Sequence, residues 1–494
     1  HRKRQEPTVN IHPQKPRLIV LTDISSLQPG CGEPDDTQSL IRLLLYSDLL
    51  DIEGLIATYS SHIKGAVKTD YLETIVRHYE KVWDNLLLHS ADYPDPKKLL
   101  EGIRAGSLYC GMENVGEGKD TPGSNWIIRT ADAPDPRPVW ITIWGGATDL
   151  AQALWRVKTE RSEEAFAAFS RKLRVYAIHD QYDDAGPWIR ENCPEVFYIT
   201  SYTAFRGMYR GGDTKDVSAE WVEENLRNGH GPLGSAYPNY DGGDIWGNVR
   251  GVKEGDTPSF LYLLPIGPGS PEHPEWGGWG GRFEGGKNRY FDAEDNIYSA
   301  DNGEAEGRKQ FHRDAVPAAG TMENGPAAEE NTYAGPFKTP VERTSDTNRS
   351  DPKTTISRWR KDFQNSFQAR MDWCTKSYEE ANHEPTVVLE GLAGNIMIRQ
   401  VRPGDTISLS AAGSSDPDGN HLFYHWWIYE EAGSCKEKIH ISGAYSQRAA
   451  ITIPASARTG SVHIILSLTD DGEPALTSYG RVILNITQEQ PAVG

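Results

Sequence analysis

Cysteine is scarce in this chain, five in 494 residues, and no C-x-x-C pair occurs, which excludes a thiolate zinc site and a redox dithiol. Cys31, Cys110, Cys193, Cys374 and Cys435 leave room for one or two disulfides plus a free thiol in oxidising surroundings. Long hydrophobic runs are missing too, none approaching the ~20 apolar residues of a membrane helix. Positive charge is in deficit, 51 Lys and Arg against 70 Asp and Glu for a net charge of −19, so neither nucleic acid nor an anionic membrane is a fitting partner. The same balance admits a neutral sugar and bound cations. A starting Met is also lacking. The chain opens on His1-Arg2-Lys3-Arg4, as expected of a processed or trimmed product. Two acceptor triplets, Asn348-Arg349-Ser350 and Asn485-Ile486-Thr487, have meaning only in a secretory compartment. These features together lead to the expectation of an extracellular protein.

The length calls for two or three domains. From 17 to 283 the pattern alternates strand and helix. Arg17 to Asp23 is a short apolar run ending in a carboxylate, as a buried parallel strand reads. Leu40, Leu43 and Leu44 then share a helix face. Asp51 to Tyr59, Val139 to Trp144, Leu173 to Ile178 and Val196 to Thr200 supply further strands. Such βα alternation predicts a mostly parallel sheet flanked by helices, with ligands at the C-terminal strand ends. Residues 284–383 read as an extended, Gly- and Pro-rich insertion and then a docking helix, with Trp359, Phe363, Phe367 and Met371 at i, i+4 spacing. In 384–490 the period switches to two, as in Leu422, Tyr424, Trp426 and Ile428, which predicts a small antiparallel, immunoglobulin-like β-sandwich.

Chemistry concentrates in Leu21 to Leu40. Asp23 closes a strand and Asp35-Asp36 opens the next helix, so three carboxylates meet at one sheet edge. They repel unless a cation lies between them, and hard oxygen ligands favour calcium or magnesium. Acidic residues also favour a helix start without any metal. Trp144-Gly145-Gly146-Ala147-Thr148-Asp149-Leu150-Ala151 forms a second strand-to-helix turn. A third segment, Glu254 to Phe260, places Asp256 before an apolar helix.

These three segments, in this order, resemble the motifs of nucleoside hydrolases over 17–283. The resemblance makes Asp23 a calcium ligand and the base that activates water, and Asp35 the carboxylate that grips sugar hydroxyls. Asp36 becomes a bidentate calcium ligand, Asp256 the last calcium aspartate, and Thr148 the donor of a backbone carbonyl to the metal. Leu21 stands where the family carries its first aspartate, and the connecting loop is longer, with Cys31 and Glu33. Glu33-Pro34-Asp35-Asp36, Gly255 to Leu261, Gly277 to Arg282 and Arg358 to Trp373 are similar to a branch of the family often described as cellulose-binding proteins.

The family's ribose-binding triplet has no match in His179 to Trp188. His179, Asp180, Asp183 and Asp184 there are candidates for binding another sugar or donating a proton, or else a solvated loop. Of 14 tryptophans, Trp246, Trp276 and Trp279 lie in Gly-rich loops, where stacking on sugar rings is a use. The resemblance thus implies a calcium-dependent hydrolase of a glycosidic bond, with an O-linked, furanosidic sugar of a polysaccharide or oligosaccharide as substrate. Asp23 and Asp35 are its catalytic residues, and the leaving group's proton comes from His179, Asp180, Asp183 or Glu33. Two alternatives stay open: an extracellular nucleoside N-ribohydrolase, and a non-catalytic carbohydrate-binding protein.

Overall fold

The computed structural model describes residues 9–10, 15–29, 34–182, 184–242, 249–293 and 351–488. They divide into two compact units: Lys15–Leu264 with Gly278–Ser377, and His1–Gln14 with Pro265–Gly277 and Tyr378–Gly494.

The first unit is built on an eight-stranded sheet. Its strands are β1 (Arg17–Thr22), β2 (Asp51–Ala57), β3 (Ile103–Ala105), β4 (Val139–Ile143), β5 (Leu173–Ile178), β6 (Phe197–Ser201), β7 (Phe283–Gly286) and β8 (Arg289–Asp292). In space they run β7-β8-β6-β5-β4-β1-β2-β3, all parallel except for the antiparallel β7–β8 hairpin at one edge. Every residue of β1 and β4 is buried, because helices cover both faces and leave no side for polar alternation. The sequence reading begins an insertion at 284, whereas the sheet continues to Asp292, where β8 pairs with β6. The Gly-rich turn hides that hairpin from composition alone. Most of the remaining insertion lies outside the described residues.

Four helices matter for the site: α1 (Asp35–Leu45), α2 (Thr148–Glu160), α3 (Ala185–Asn192) and α4 (Arg360–Asp372). Helix α1 is buried from Asp36 to Leu45, so its polar residues must find partners inside. Arg42 finds several. Its Nη1 donates to Glu254 Oε2 at 3.0 Å and Gln364 Oε1 at 2.7 Å, and its Nη2 to the Phe363 carbonyl at 2.7 Å. The guanidinium also lies 4.3 Å from the centroid of the Phe367 ring. The expected stripe on α4 is real: Trp359, Phe363, Phe367 and Met371 are all buried.

Asp149, in the first turn of α2, is a second buried charge. It accepts hydrogen bonds from Thr58 Oγ1 at 2.7 Å, Thr121 Oγ1 at 2.6 Å and the Ser107 amide at 3.0 Å. Burial pushes its carboxyl above the usual range, while these donors pull the other way.

The second unit holds a five-stranded sheet in the order Val9–Asn10, Ile396–Val401, Thr477–Ile486, Gly460–Asp470, Leu422–Ile428, and a three-stranded sheet of Thr406–Ser410, Arg448–Thr452 and Ile441–Ser442. The expected alternation holds on Leu422–Ile428, with Trp426 in the core and Phe423 54% exposed. The expected antiparallel pairing holds in both sheets except at one place, where Ile396–Val401 runs parallel to Thr477–Ile486. Period-two patterning sets which face is buried and is silent on strand direction. Among the described residues, no helix is long and apolar enough to cross a membrane.

Two outcomes follow from the buried charges. Replacing Arg42 by Met takes the counter-ion from buried Glu254, which keeps only its hydrogen bonds from Tyr237 and Thr257, so urea unfolding of the α/β unit, followed by tryptophan fluorescence, should show a loss of about 3–5 kcal/mol. Adding Glu254→Gln to that variant should restore part of it. For Asp149 the raised pKa means that the folded state holds the proton more tightly, so its contribution favours folding at low pH and is lost as pH rises through the folded value. Asp149→Asn removes this dependence. Its melting temperature relative to the parent should be higher at about pH 7 than at about pH 4.5.

Candidate functional site

The strand order reverses direction between β1 and β4, since the chain leaves β1 for β2 and β3 on one side and returns to β4 on the other. A crevice opens at such a switch point, beyond the carboxyl ends of the two strands. Asp23 directly follows β1 and is 8% exposed. Its Oδ2 accepts a hydrogen bond from the Tyr182 hydroxyl at 2.5 Å. Gly145 follows β4 by two residues, and a Cβ there would lie 2.6 Å from Asp23 Cγ. Glycine at this position is what lets the carboxylate occupy the crevice. The loop carrying Tyr182 is held in an unusual backbone: His179 and Tyr182 have φ of 66° and 69°, left-handed values that cost a non-glycine residue ~1–3 kcal/mol. Gln181 anchors this loop by donating to the Trp144 and Ile178 carbonyls.

Next to the crevice stand three carboxylates. Oxygens of Asp35, Asp36 and Asp256 all lie within 4.8 Å of one another, with Asp36 and Asp256 buried and Asp35 half-buried. Side chains of α1 draw the Asp256 segment in. Gln38 donates to the Pro238 and Gly251 carbonyls at 2.7 and 3.0 Å and accepts from the Lys253 amide at 2.8 Å. Thr257 Oγ1 meets Ser39 Oγ at 3.1 Å, and Arg42 holds Glu254. On the other side Thr22, the last residue of β1, donates a short bond to Asp36 Oδ1. At such separations each pair of charges repels by about 3 kcal/mol for an effective dielectric near 20. A cation or a proton relieves that repulsion, and an all-carboxylate donor set fits calcium or magnesium. Asp23 stands outside this set, its carboxylate being directed to Tyr182. Thr148 opens α2, is 1% exposed, and its hydroxyl accepts from the Gly111 amide at 3.1 Å.

The other sequence candidates fall elsewhere. Asp180 is a correction: both its oxygens accept from Arg190 at 2.7 Å, and Oδ2 also from the Tyr202 hydroxyl at 2.5 Å. A carboxylate so enclosed has a structural part, with no room for a substrate. His179 is 2% exposed and lies edge-on to Tyr202, with centroids 5.3 Å apart. Asp184 accepts from the Met112 amide at 2.8 Å. Trp279 is also a correction, since it is 2% exposed and edge-on to Phe363, which leaves its ring closed to a sugar. Trp276 packs within the second unit against His273 and His463. Glu33, Asp183 and Trp246 lie outside the described residues.

Sequence reasoning missed Tyr182. Tyr59 stands edge-on to it, with centroids 5.3 Å apart, and the Cys110 thiol reaches its carbonyl at 3.8 Å. Burial, and next the neighbouring Cys110, raise the Tyr59 hydroxyl above the usual tyrosine range. The available signal was position: Tyr59 comes two residues after the end of β2, and Tyr182 sits in a strand-end loop that departs from the family pattern.

Comparison with known proteins bears on the family and the fold. Residues 17–283 match the family described as cellulose-binding Sde182, nucleoside hydrolase-like domain. Residues 406–486 match the cellulose-binding protein Sde0182, C-terminal domain. A solved structure of a nucleoside hydrolase-related hypothetical protein from Saccharophagus degradans, associated with carbohydrate metabolism, is 33% identical. The match covers 96% of this chain and 100% of that one with a TM-score of 0.74. The PKD domain of the KIAA 1837 protein matches 19% of this chain and 86% of its own at 20% identity, with a TM-score of 0.15 that bears no weight. No curated protein matches. With more than half of its length matched and a relative aligned end to end, the chain belongs to the Sde182 family of cellulose-binding, nucleoside-hydrolase-like proteins.

Proposed function

We propose that the α/β unit is a calcium-dependent hydrolase of a glycosidic bond, acting outside the cell on an O-linked, furanosidic sugar of a polysaccharide or oligosaccharide. The observation that carries this reading is the convergence of Asp35, Asp36 and Asp256 beside Asp23 at the sheet's switch point. The relative's association with carbohydrate metabolism supports the substrate class. Calcium bound by Asp36 and Asp256, with the Thr148 carbonyl in support, would make a coordinated water more acidic.

The side chains have separate tasks in this scheme. Asp23, oriented by the hydrogen bond from Tyr182, takes the water's proton. The resulting hydroxide forms a bond to the anomeric carbon as the bond to the leaving oxygen breaks, and that oxygen takes a proton from solvent to leave as an alcohol. Asp35, half-buried at the rim, grips ring hydroxyls. Gly145 keeps the attack side open, since any side chain there would displace Asp23. Asp180 has no part, being committed to Arg190.

The test is a screen of nitrophenyl furanosides and nucleosides, with calcium titrated by calorimetry. Asp23→Asn should lower turnover by ~100- to 10,000-fold, as general-base loss does, and leave calcium affinity within a few-fold. Asp36→Asn and Asp256→Asn should each abolish measurable calcium binding, and activity with it. Cleavage of nucleosides alone would turn the reading to an N-ribohydrolase. Calcium-dependent sugar binding without any turnover would turn it to a non-catalytic carbohydrate-binding protein.

A further inference from the structure

The β-sandwich unit has a cleft of its own, with a volume of about 330 Å³. It lies between the end of the Leu422–Ile428 strand, the connection that follows, and the start of the Gly460–Asp470 strand. The connection is pinned down, not loose: the amides of Ser434 and Cys435 both donate to the Ser461 carbonyl at 3.0 Å. A Cβ on Gly433 would come within 2.7 Å of that same oxygen.

The chemistry of the walls is mixed in an informative way. Ile428, Ile439 and Val462 give an apolar side continuous with the sandwich core. Glu430, Lys436, Glu437 and Lys438 give a polar side. Two carboxylates and two ammonium groups cancel, so the lining carries no net charge. His463 adds none. Arg481 Nη1 donates to His463 Nδ1 at 2.9 Å, so the imidazole is neutral and carries its proton on Nε2. Burial, with Arg481 second, pushes its pKa down to about 3.

A phosphate, a carboxylate or a metal ion would meet no net opposite charge in such a cleft. A neutral ligand with one C–H face and a ring of hydroxyls meets what it needs, because each hydroxyl both donates and accepts. The volume is at the lower end of the roughly 300–1,000 Å³ of small-molecule sites. We propose that this cleft binds the end of a neutral oligosaccharide, with sugar C–H groups against Ile428 and Ile439 and hydroxyls shared among Glu430, Lys436, Glu437 and Lys438. The site is separate from the carboxylate cluster and stands whether or not the α/β unit hydrolyses anything.

Cysteine footprinting on the whole chain tests it. Cys435 lines the cleft and is half-buried, whereas Cys110 is half-buried beside Tyr182 in the other unit. Cys193 and Cys374 are buried and serve as background. The thiols are alkylated with N-ethylmaleimide with and without cellotriose or xylotriose, and modification is read by peptide mass spectrometry. At a sugar concentration about four times the dissociation constant, modification of Cys435 should slow about fivefold. The same protection should appear in Asp36→Asn, which separates this site from the proposed catalytic one. It should vanish in the double variant Glu437→Gln, Lys438→Ala, with the melting temperature unchanged. Protection of Cys110 alone, protection of Cys435 that survives the double variant, or protection by glucose 6-phosphate but by neither neutral sugar would each overturn the proposal.

Discussion

The α/β unit depends on one buried cation, the guanidinium of Arg42. It is fully enclosed and joins three pieces of chain that lie far apart in sequence: α1, the segment around Glu254, and α4. A charge without water must be matched by nearby acceptors, and here those acceptors position the segment that bears Asp256. The carboxylate cluster is therefore an outcome of packing inside the unit. Three residues of α1 after Asp35-Asp36, namely Gln38, Ser39 and Arg42, are tied to residues 251–257. Like charges can be held together in this way only because folding elsewhere offsets their repulsion.

A second consequence is a division of labour among the acids. Asp35, Asp36 and Asp256 are close enough to share one cation. Asp23, although adjacent to Thr22, which holds Asp36, faces a tyrosine. Hydrogen bonding to one carboxylate oxygen fixes the orientation of the other without neutralising the charge. Tyr182 is able to do this because its loop adopts a left-handed backbone over which Gln181 is anchored. Asp149 and Asp180 show the contrasting case of acids wholly consumed by internal donors. Six carboxylates of the α/β unit thus have three different kinds of surroundings.

Much of this was readable from the chain. The strands of the parallel sheet announce themselves because a strand buried on both faces must be largely apolar, as residues 18–21 are and as Val139–Ile143 is apart from Thr142. The acidic positions at strand ends and helix starts follow from the same pattern. What the sequence could not convey is partnership at long range. Nothing local says that Asp180 will meet Arg190 and Tyr202, that Trp279 will lie against Phe363, or that Tyr182 will reach Asp23 across 159 residues. The β7–β8 hairpin was equally hidden, being set within a Gly-rich stretch whose composition resembles linker. Nor does alternation reveal that Ile396–Val401 runs parallel to its neighbour.

The short Val9–Asn10 strand has a further bearing on how the chain is made. It pairs with Ile398 and Met397, residues that leave the ribosome long after it does. At ~5–20 residues per second the delay amounts to some tens of seconds, during which the whole α/β sheet is synthesised. Val9–Asn10 must wait without this pairing until Ile396–Val401 exists to receive it. An unpaired edge is a place where strands of another molecule can add, so Ile396–Val401 is an edge open to a wrong partner until Val9–Asn10 pairs with it.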